Sequence, residues 1–294
     1  MAIKGLLTLK DLSTEKIVDI IEHSLNIKKG SRASYAGKKF VTLFFENSTR
    51  THYSFISAMH NLDIKVIDFN AGASSLSKGE SLYDTVKTFE AIGCDGVVIR
   101  HSQDEYFKEL ENINIPIING GDGKANHPTQ SLLDLMTIYE EFGKFEGLKC
   151  CIVGDIAHSR VAHTNIEVMK RLGMEVYISG PAEFNDGSAE YITVEEAIKE
   201  CDVIMLLRVQ FERHTEKMGL SVEEYHANYG LTMDRVNRMK EHAIIMHPAP
   251  VNRGVELADE VVECSKARIV KQMTNGVYIR MAVISQILDG KLWF

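Results

Sequence analysis

The sequence predicts an α/β protein with two doubly wound domains, each a parallel sheet covered by helices. Short runs of β-branched and other apolar residues alternate along the whole chain with stretches of helical periodicity. These runs fall into two sets of four, one set in each half of the chain. A length of 294 residues is also enough for about two domains of ordinary size. We therefore expect two sheets rather than one.

The first half contains four predicted strands, which are KKFVTLFF at 38–45, DIKVIDF at 63–69, DGVVIR at 95–100 and IPIIN at 115–119. The second half contains four more, which are LKCCIVG at 148–154, MEVYIS at 174–179, CDVIMLL at 201–207 and AIIMH at 243–247. Helical patterns lie between them at 13–29, 80–92, 127–141, 159–172 and 193–200. Thr193 and Glu196 form a capping-box signature at the start of the last of these helices.

The domain boundaries follow from this order of elements. We expect a first domain at 1–132 and a second at 133–274, with the hinge in the region of 128–147. The final helix, at about 275–294, is expected to pack back on the first domain. Its apolar residues recur on one face, at Val277, Met281, Ile284 and Leu288.

Composition restricts the class of protein. The chain is 45% hydrophobic and 25% charged, as in soluble globular proteins, which excludes a disordered chain, a collagen and a disulfide-stapled miniature domain. Its 33 Lys and Arg against 41 Asp and Glu give a net charge of −8, which argues against non-specific nucleic-acid binding. The sequence has neither a signal-peptide pattern at its start nor an apolar run of membrane-spanning length. We therefore expect a cytoplasmic protein with no nucleic-acid or membrane partner.

The five cysteines predict no disulfide and no metal site. They include no CxxC pair, and the adjacent Cys150 and Cys151 lie in an apolar strand pattern. We expect them to be buried, reduced thiols.

Ligands of open parallel sheets bind beyond the carboxyl ends of the strands, so the residues that follow strands are the site candidates. The segment Ser48-Thr49-Arg50-Thr51 follows the first long strand and opens a helix. Helix N-termini attract anions, and the hydroxyls and the guanidinium fork add donors, so this segment predicts a phosphate cradle. The alternative is that Ser48 and Thr49 only cap the helix and that Arg50 is a surface charge.

Three further segments of the first half end strands or open helices. Arg100 ends a strand, and a glycine-rich turn leads to His127-Pro128-Thr129-Gln130 at a helix start. The imidazole and carboxamide of this turn can donate to a carbonyl oxygen or an oxyanion. The polar loop 74–81, SSLSKGES, taken alone is typical of an exposed loop with a helix cap.

The second half repeats the arrangement. Arg160 opens a helix after GDIAHS, and Arg208 and Gln210 follow another strand. His247-Pro248-Ala249-Pro250 follows the last strand, and its rigid turn offers carbonyls to a ligand amide. GDIAHSR lacks GxGxxG, and the histidines near it lack the HExxH spacing, so we expect neither a dinucleotide nor a metal.

No nucleophile–base pair emerges from these segments. What recurs is cationic and amide groups at strand ends, which predicts a site for anions. Catalysis there is expected to rest on orientation and electrostatics, without a cofactor.

STRT, HPTQ and HPAP, in this order and at these separations, resemble the transcarbamoylase family. The resemblance extends from GLLTLKDLS to NGVYIRMAV and implies one α/β domain for carbamoyl phosphate and one for the amino acid. SKGES, HPAP and LLRVQ are similar to the aspartate-specific members, because the ornithine enzymes have another loop in place of SKGE and an HCLP-type turn. The implied reaction is carbamoylation of L-aspartate on the way to pyrimidines.

The resemblance implies roles for individual residues. The groups implied to bind carbamoyl phosphate are Ser48, Thr49, Arg50, Thr51, Arg100, His127, Gln130 and the backbone of Ala249 and Pro250. Those implied to bind aspartate are Lys78, Arg160, Arg208 and Gln210. Those implied to act in catalysis are Arg50, Thr51, Lys78, Arg100 and His127. Lys78 and Ser74 are implied to enter from a neighbouring subunit of a homotrimer, with Ser75 as the alternative to Ser74.

Several alternatives stay open at this point. The acceptor could be another amine such as ornithine, or the chain could be a non-catalytic protein that binds a phosphorylated metabolite. Trimers could stand alone or join separate regulatory chains. The chain also departs from the family pattern at Asn47, His52 and Ile56, where the family usually has proline or alanine, arginine and glutamate. We interpret His52 and Ile56 as a joint structural substitution of an ion pair.

Overall fold

The computed structural model describes residues 3–70, 79–209 and 220–292. The chain divides into two compact units, one formed by 1–136 with 273–294 and the other by 137–272. Each unit contains one five-stranded parallel sheet with helices between the strands. The α/β class and the two parallel sheets are therefore as predicted. The assignment of the units to two substrates, with a boundary at 132, concerns function and stays a prediction.

The first unit is built on the strand order β1-β5-β4-β2-β3. Its strands are β1 (Gly5–Leu6), β2 (Lys39–Phe44), β3 (Lys65–Phe69), β4 (Gly96–His101) and β5 (Ile117–Asp122). Its helices are α1 (Thr14–Lys28), α2 (Thr49–Asn61), α3 (Leu82–Ala91) and the start of α4 (Pro128–Phe142), with a 3₁₀ turn at Tyr106–Leu110. One side of the sheet packs apolar strand residues such as Val41, Val97 and Ile117 in a buried cluster.

The second unit has the strand order β10-β9-β6-β7-β8. Its strands are β6 (Lys149–Val153), β7 (Glu175–Ser179), β8 (Glu190–Tyr191), β9 (Val203–Leu206) and β10 (Ile244–Met246). Its helices are α5 (Arg160–Arg171), α6 (Val194–Glu200), α7 (Val222–Tyr229), α8 (Met233–Asn237) and the start of α9 (Ile269–Leu288), with 3₁₀ turns at Ala182–Phe184 and Asp259–Val261. The predicted capping box at Thr193 and Glu196 is present.

Four strands per sheet was an underestimate. The fifth strands, β1 and β8, are two residues long, and each pairs at the edge of its sheet. Two residues cannot display a period, which explains why the pattern did not predict them.

The last helix packs on the first unit, as expected. Residues such as Ile279, Val283 and Ile284 are fully buried. Polar contacts join the same helix to α1, where Lys28 Nζ donates to Asn275 Oδ1 at 2.8 Å. Gln286 Nε2 likewise donates to Asp19 Oδ2 at 3.0 Å, nearer the start of α1.

All five cysteines are free thiols, and four of them are buried. Cys264 is partly exposed, so the expected burial is wrong for that residue. None of the helices in the described ranges is both long and apolar enough to span a bilayer.

Candidate active site

The turn after β2 leaves the start of α2 available to an anion. Ser48 occupies the N-cap position with an extended backbone, but its side chain makes no capping hydrogen bond. The first turn also contains no acidic residue that would neutralise the positive end of the helix. Thr49 and Arg50 are exposed there, whereas Thr51 is buried. The side chain of Ser48 therefore does not cap the helix, and the binding of an anion by this segment stays a prediction.

His52 connects this first helical turn to the sheet. Its Nε2 lies 2.9 Å from Asp68 Oδ1 at the end of β3 and 3.1 Å from Thr42 Oγ1 in β2. The ring also stacks on Phe44, with 4.4 Å between ring centroids. His52 thus contacts two strands of the sheet. Ile56 is half-buried and takes no part in these contacts.

Arg100 lies beside the turn that joins β2 to α2. β2 and β4 are paired with Phe44 opposite Arg100, so the two strands end at the same place. Arg100 Nε donates to Glu46 Oε2 at 3.2 Å, and only 14% of the arginine side chain is exposed. Sequence reasoning passed over Glu46, although it stands within the FFENSTR segment.

The turn that delivers His127 is held by one buried carboxylate. Asp122, at the end of β5, is fully buried and accepts hydrogen bonds from the backbone N–H of Glu105 at 2.7 Å and of Asn126 at 3.0 Å. It also accepts from Asn119 Nδ2 at 2.8 Å. These bonds fix the backbone immediately before His127, which is itself buried. Sequence reasoning did not identify Asp122 as a positioning group.

Gln130 is oriented by Asp134, one turn further along α4. Gln130 Nε2 donates to Asp134 Oδ1 at 3.0 Å, and both side chains are buried. A carboxylate only accepts, so the amide nitrogen faces Asp134 and Oε1 is the atom left for a ligand. Gln130 can therefore accept a hydrogen bond from a ligand amide.

A buried arginine of the last helix interacts electrostatically with Asp134 and with Arg100. Arg280 of α9 lies over the ring of Phe55 at 4.8 Å and donates from Nη1 to Gly276 O at 2.9 Å. Burial and, to a smaller extent, the charge of Arg100 lower the pKa of Arg280 to about 9, although the charge of Asp134 opposes the shift. The charges of the three residues thus act on one another in the first unit.

In the second unit, Arg160 and Arg208 follow neighbouring strands. β6 and β9 are paired with Val153 opposite Leu206, and Leu207 N donates to Val153 O at 2.9 Å. Arg160 is the first residue of α5, and Arg208 lies two residues beyond β9. Arg208 Nε donates to Asn252 Oδ1 at 3.3 Å.

The HPAP turn follows β10, the neighbour of β9. Ala249 has a positive φ of 53°, and its N–H donates to His247 Nδ1 at 2.8 Å. The bond between Ala249 and Pro250 is cis. His247 is buried, whereas Ala249 is partly exposed and Pro250 exposed. The prediction that this segment forms a turn is confirmed.

The structure thus groups the predicted residues by unit. In the first unit, Arg100 lies near the end of β4, and residues 48–51 and 127–130 follow its neighbours β2 and β5. In the second, Arg160, Arg208 and the turn at 249–250 follow the adjacent strands β6, β9 and β10. Ser74, Ser75, Lys78 and Gln210 lie outside the described residues. Within the described part of the chain, no three His, Cys, Asp or Glu side chains are grouped to hold a metal ion.

Family models match most of the chain. The model of the carbamoyl-phosphate-binding domain of aspartate and ornithine carbamoyltransferases matches residues 4–140, and that of their Asp/Orn-binding domain matches residues 146–287. The chain belongs to the aspartate/ornithine carbamoyltransferase family. It is therefore a carbamoyltransferase, which confirms the resemblance found in the sequence.

Curated relatives of this carbamoyltransferase are similar over almost their whole length. The aspartate carbamoyltransferase catalytic subunit of Staphylococcus carnosus is 53% identical, over 98% of this chain and 96% of the relative. That of Enterococcus faecalis is 52% identical, over 99% of this chain and 97% of the relative.

Solved structures give the same result for the fold. Aspartate transcarbamoylase from Trypanosoma cruzi, crystallised with carbamoyl phosphate, has a TM-score of 0.88 at 28% identity and covers 96% of this chain and 95% of its own. The same enzyme with N-(phosphonacetyl)-L-aspartic acid has a TM-score of 0.87, with the same identity and coverage.

Proposed function

We propose that this carbamoyltransferase transfers the carbamoyl group of carbamoyl phosphate to the amine of L-aspartate, giving N-carbamoyl-L-aspartate and phosphate. The observation that carries the choice of acceptor is the pair Arg160 and Arg208, which follow neighbouring strands of the second unit. Two guanidinium groups suit an acceptor with two carboxylates. Ornithine has a second ammonium group in place of one carboxylate, and the same arginines would repel it.

We propose that the first unit binds the phosphate and activates the carbamoyl carbonyl. Ser48, Thr49, Arg50 and Thr51 bind the phosphate, in support of which α2 has an uncapped N-terminus. Arg100 bridges the phosphate and the carbonyl oxygen, and Thr51 and His127 polarise that oxygen. Gln130 Oε1 accepts from the carbamoyl NH₂ group, together with the carbonyls of Ala249 and Pro250.

In the proposed mechanism, the neutral amine of aspartate attacks the carbamoyl carbon. A C–N bond forms and negative charge collects on the carbonyl oxygen, where Thr51, Arg100 and His127 stabilise it. Losing one such donor typically costs about 10²–10³ in rate. The C–O bond to phosphate then breaks, and the phosphate takes the proton that the amine loses. No protein base is required, in keeping with the lack of a nucleophile–base pair in the sequence.

Charge arithmetic supports this assignment. Carbamoyl phosphate carries roughly two negative charges near neutral pH, like other phosphate monoesters. Aspartate adds two carboxylates, and like charges resist being brought together. The five proposed cations, Arg50, Lys78, Arg100, Arg160 and Arg208, offset this repulsion.

The decisive experiment compares acceptors. Purified protein is given carbamoyl phosphate with L-aspartate or L-ornithine, and the carbamoylated product and released phosphate are both measured. We expect product from aspartate only. Product from ornithine alone would contradict the proposal. Product from neither amine would also contradict it and would show that the acceptor is a different amine.

The sharing of sites between subunits is a further part of the proposal. Lys78 and Ser74 (or Ser75) are proposed to reach into the site of a neighbouring chain in a homotrimer, and separate regulatory chains could join such trimers. The relatives are named catalytic subunits, which agrees with that second possibility. We also propose a cytoplasmic location, which cell fractionation tests.

A further inference from the structure

One network of hydrogen bonds joins the HPAP turn, residues 247–250, to Arg208. His247 Nδ1 accepts from the Ala249 N–H at 2.8 Å, so Nε2 of that ring carries the proton. Nε2 donates it to Glu256 Oε1 at 3.1 Å, and both side chains are fully buried. The same carboxylate oxygen accepts from the Asn252 N–H at 2.6 Å. Glu256 therefore fixes the start of the turn and the backbone of Asn252 together.

The side chain of Asn252 continues the network on the other side. Its Oδ1 accepts from Arg208 Nε at 3.3 Å, and its Nδ2 donates to Val209 O at 2.8 Å. Both ends of the amide are thus engaged with the segment that follows β9. Aspartate lacks the donor and leucine lacks both groups, so asparagine suits this position.

We infer that Asn252 is a positioning residue that fixes Arg208 relative to the carbonyls of Ala249 and Pro250. The inference rests on the proposed function, in which Arg208 binds a carboxylate of aspartate and the two carbonyls hold the carbamoyl amide. The distance between these groups sets how closely the amine approaches the carbamoyl carbon. A misplacement of about 1 Å can cost roughly 10²-fold in rate. Asn252 acts through Arg208 and does not touch the reacting atoms.

Asn252→Leu tests this link, because it removes both side-chain bonds and keeps the backbone bond to Glu256. We expect the KM for aspartate to rise roughly tenfold or more, the effect of losing a hydrogen bond to a charged group. The affinity for inorganic phosphate, which concerns the first unit, should not change. The affinity for N-(phosphonacetyl)-L-aspartate should fall with that for aspartate.

A double-mutant cycle separates positioning from general stability. In an Arg208→Ala background, Asn252→Leu should add almost nothing to the rise in the KM for aspartate, because the guanidinium that Asn252 positions is already gone. Arg253→Ala is the matched control, since this neighbouring side chain is exposed and donates to Asp259 O at 2.9 Å and to Glu263 Oε1 at 3.5 Å. Its KM values should equal those of the wild type.

Multiplicative effects of the two substitutions, or an unchanged KM for aspartate in Asn252→Leu, would overturn the inference. If the leucine variant does not fold, Asn252→Ser takes its place, because serine is too short to span Arg208 and Val209. The wild-type rate with aspartate tests the proposed function separately. Should another acceptor be used, the same cycle is measured with that acceptor.

Discussion

Single side chains in this protein are oriented by neighbours that no ligand needs to touch. Gln130 is the clearest case, because its bond to the buried carboxylate of Asp134 decides which end of its amide faces a ligand. An isolated amide could turn either end toward the substrate, and the wrong end would repel an NH₂ group. The proposed binding of the carbamoyl amide by Gln130 thus depends on Asp134 as well.

Asp134→Asn should weaken this control, because an asparagine amide can accept or donate. We expect the KM for carbamoyl phosphate to rise roughly tenfold, the cost of one hydrogen bond to a charged group. Steady-state kinetics with saturating aspartate measures the change.

Asp95→Asn is the control for this experiment. Asp95 lies at the opposite, amino-terminal edge of the same sheet, where it accepts from Lys39 N at 2.9 Å. Its kinetics should match the wild type, although its stability is lower. Equal kinetic effects of the two changes would show that Asp134 only stabilises the fold.

The sequence revealed the proposed site residues better than the groups that orient them. Arg100 lies near the carboxyl end of β4, and Thr51 and His127 lie at the start of the helices that follow β2 and β5. Parallel sheets place ligands at this edge, so these positions were predictable. Asp134 had a local signal as well, since it follows Gln130 by four residues on one helix face. Asn252 had none, because its partner Arg208 lies 44 residues away in the chain.

At the scale of an element, the turn between β5 and α4 depends on a glycine. Gly123 has a φ of +39°, and a Cβ there would lie 1.8 Å from Asp104 Oδ1. The same Asp104 oxygen accepts from the backbone N–H of Lys124 at 2.6 Å, so it cannot move away without losing that bond.

Gly123→Ala should therefore displace the turn that delivers His127. We expect a loss of about 1–3 kcal/mol in the free energy of unfolding, together with a lower kcat, because the backbone is strained and the contact is too close. Gly93→Ala is the matched control, since Gly93 also has a positive φ, +83°, but has no heavy atom within 4 Å of the added Cβ. Urea unfolding and kinetics of both variants isolate the contact; equal losses would contradict its importance.

The amino end of β9 gives a prediction about pH. Asp202 accepts from Lys149 N, Lys240 Nζ and His242 Nε2, each at 2.9 Å. Burial alone would raise the pKa of this carboxyl. The hydrogen bonds from Lys149, His242 and Lys240 have the larger effect and hold the pKa below its usual value. A lowered carboxyl pKa contributes stability above the unfolded value, and this stability is lost as the pH falls through the folded value.

Asp202→Asn should accordingly cost about 2 kcal/mol in the free energy of unfolding at pH 7. The difference from the wild type should shrink as the pH falls below about 4. Urea unfolding of both proteins over this range measures it, with Asp234→Asn as the control, because the Asp234 side chain is 81% exposed. A difference that is constant with pH would show that the charge of Asp202 is not responsible.

Most strands and helices were predicted from their apolar runs and periods, and two short helices were not. The eight longer strands were visible as apolar runs, since both faces of a parallel sheet are buried. The helices α7 and α8, at Val222–Tyr229 and Met233–Asn237, were not predicted. They are eight and five residues long, and α7 begins with a capping box at Ser221 and Glu224 of the kind that marked the seven-residue α6, so this local signal was missed.

At the scale of the whole molecule, the proposed site is rich in positive charge, although the chain as a whole is acidic. The net charge is −8, yet five cations are proposed to act on one pair of substrates. Contribution of Lys78 by a neighbouring chain would bring in one of them.

Mixing two inactive variants tests this sharing. In a shared site, Arg50 comes from one chain and Lys78 from its neighbour, so each variant removes the contribution of a different chain. Random trimers made from equal amounts of the two variants should therefore contain roughly one intact site in four. Activity is measured after the chains exchange by mild denaturation and refolding. Each variant treated alone is the control and should stay inactive. No recovery, with exchange shown by differently tagged chains, would mean that each chain holds a complete site.

The first unit is assembled from both ends of the chain, residues 1–136 and 273–294, whereas the second is continuous. Ribosomes release the amino-terminal end first, and domains tend to fold as they emerge. The second unit can thus condense while the first still waits for Ile279, Val283 and Ile284, which are buried in it. A nascent chain interrupted near residue 272 would present one finished unit and one open apolar surface, and chaperones and proteases would recognise the latter.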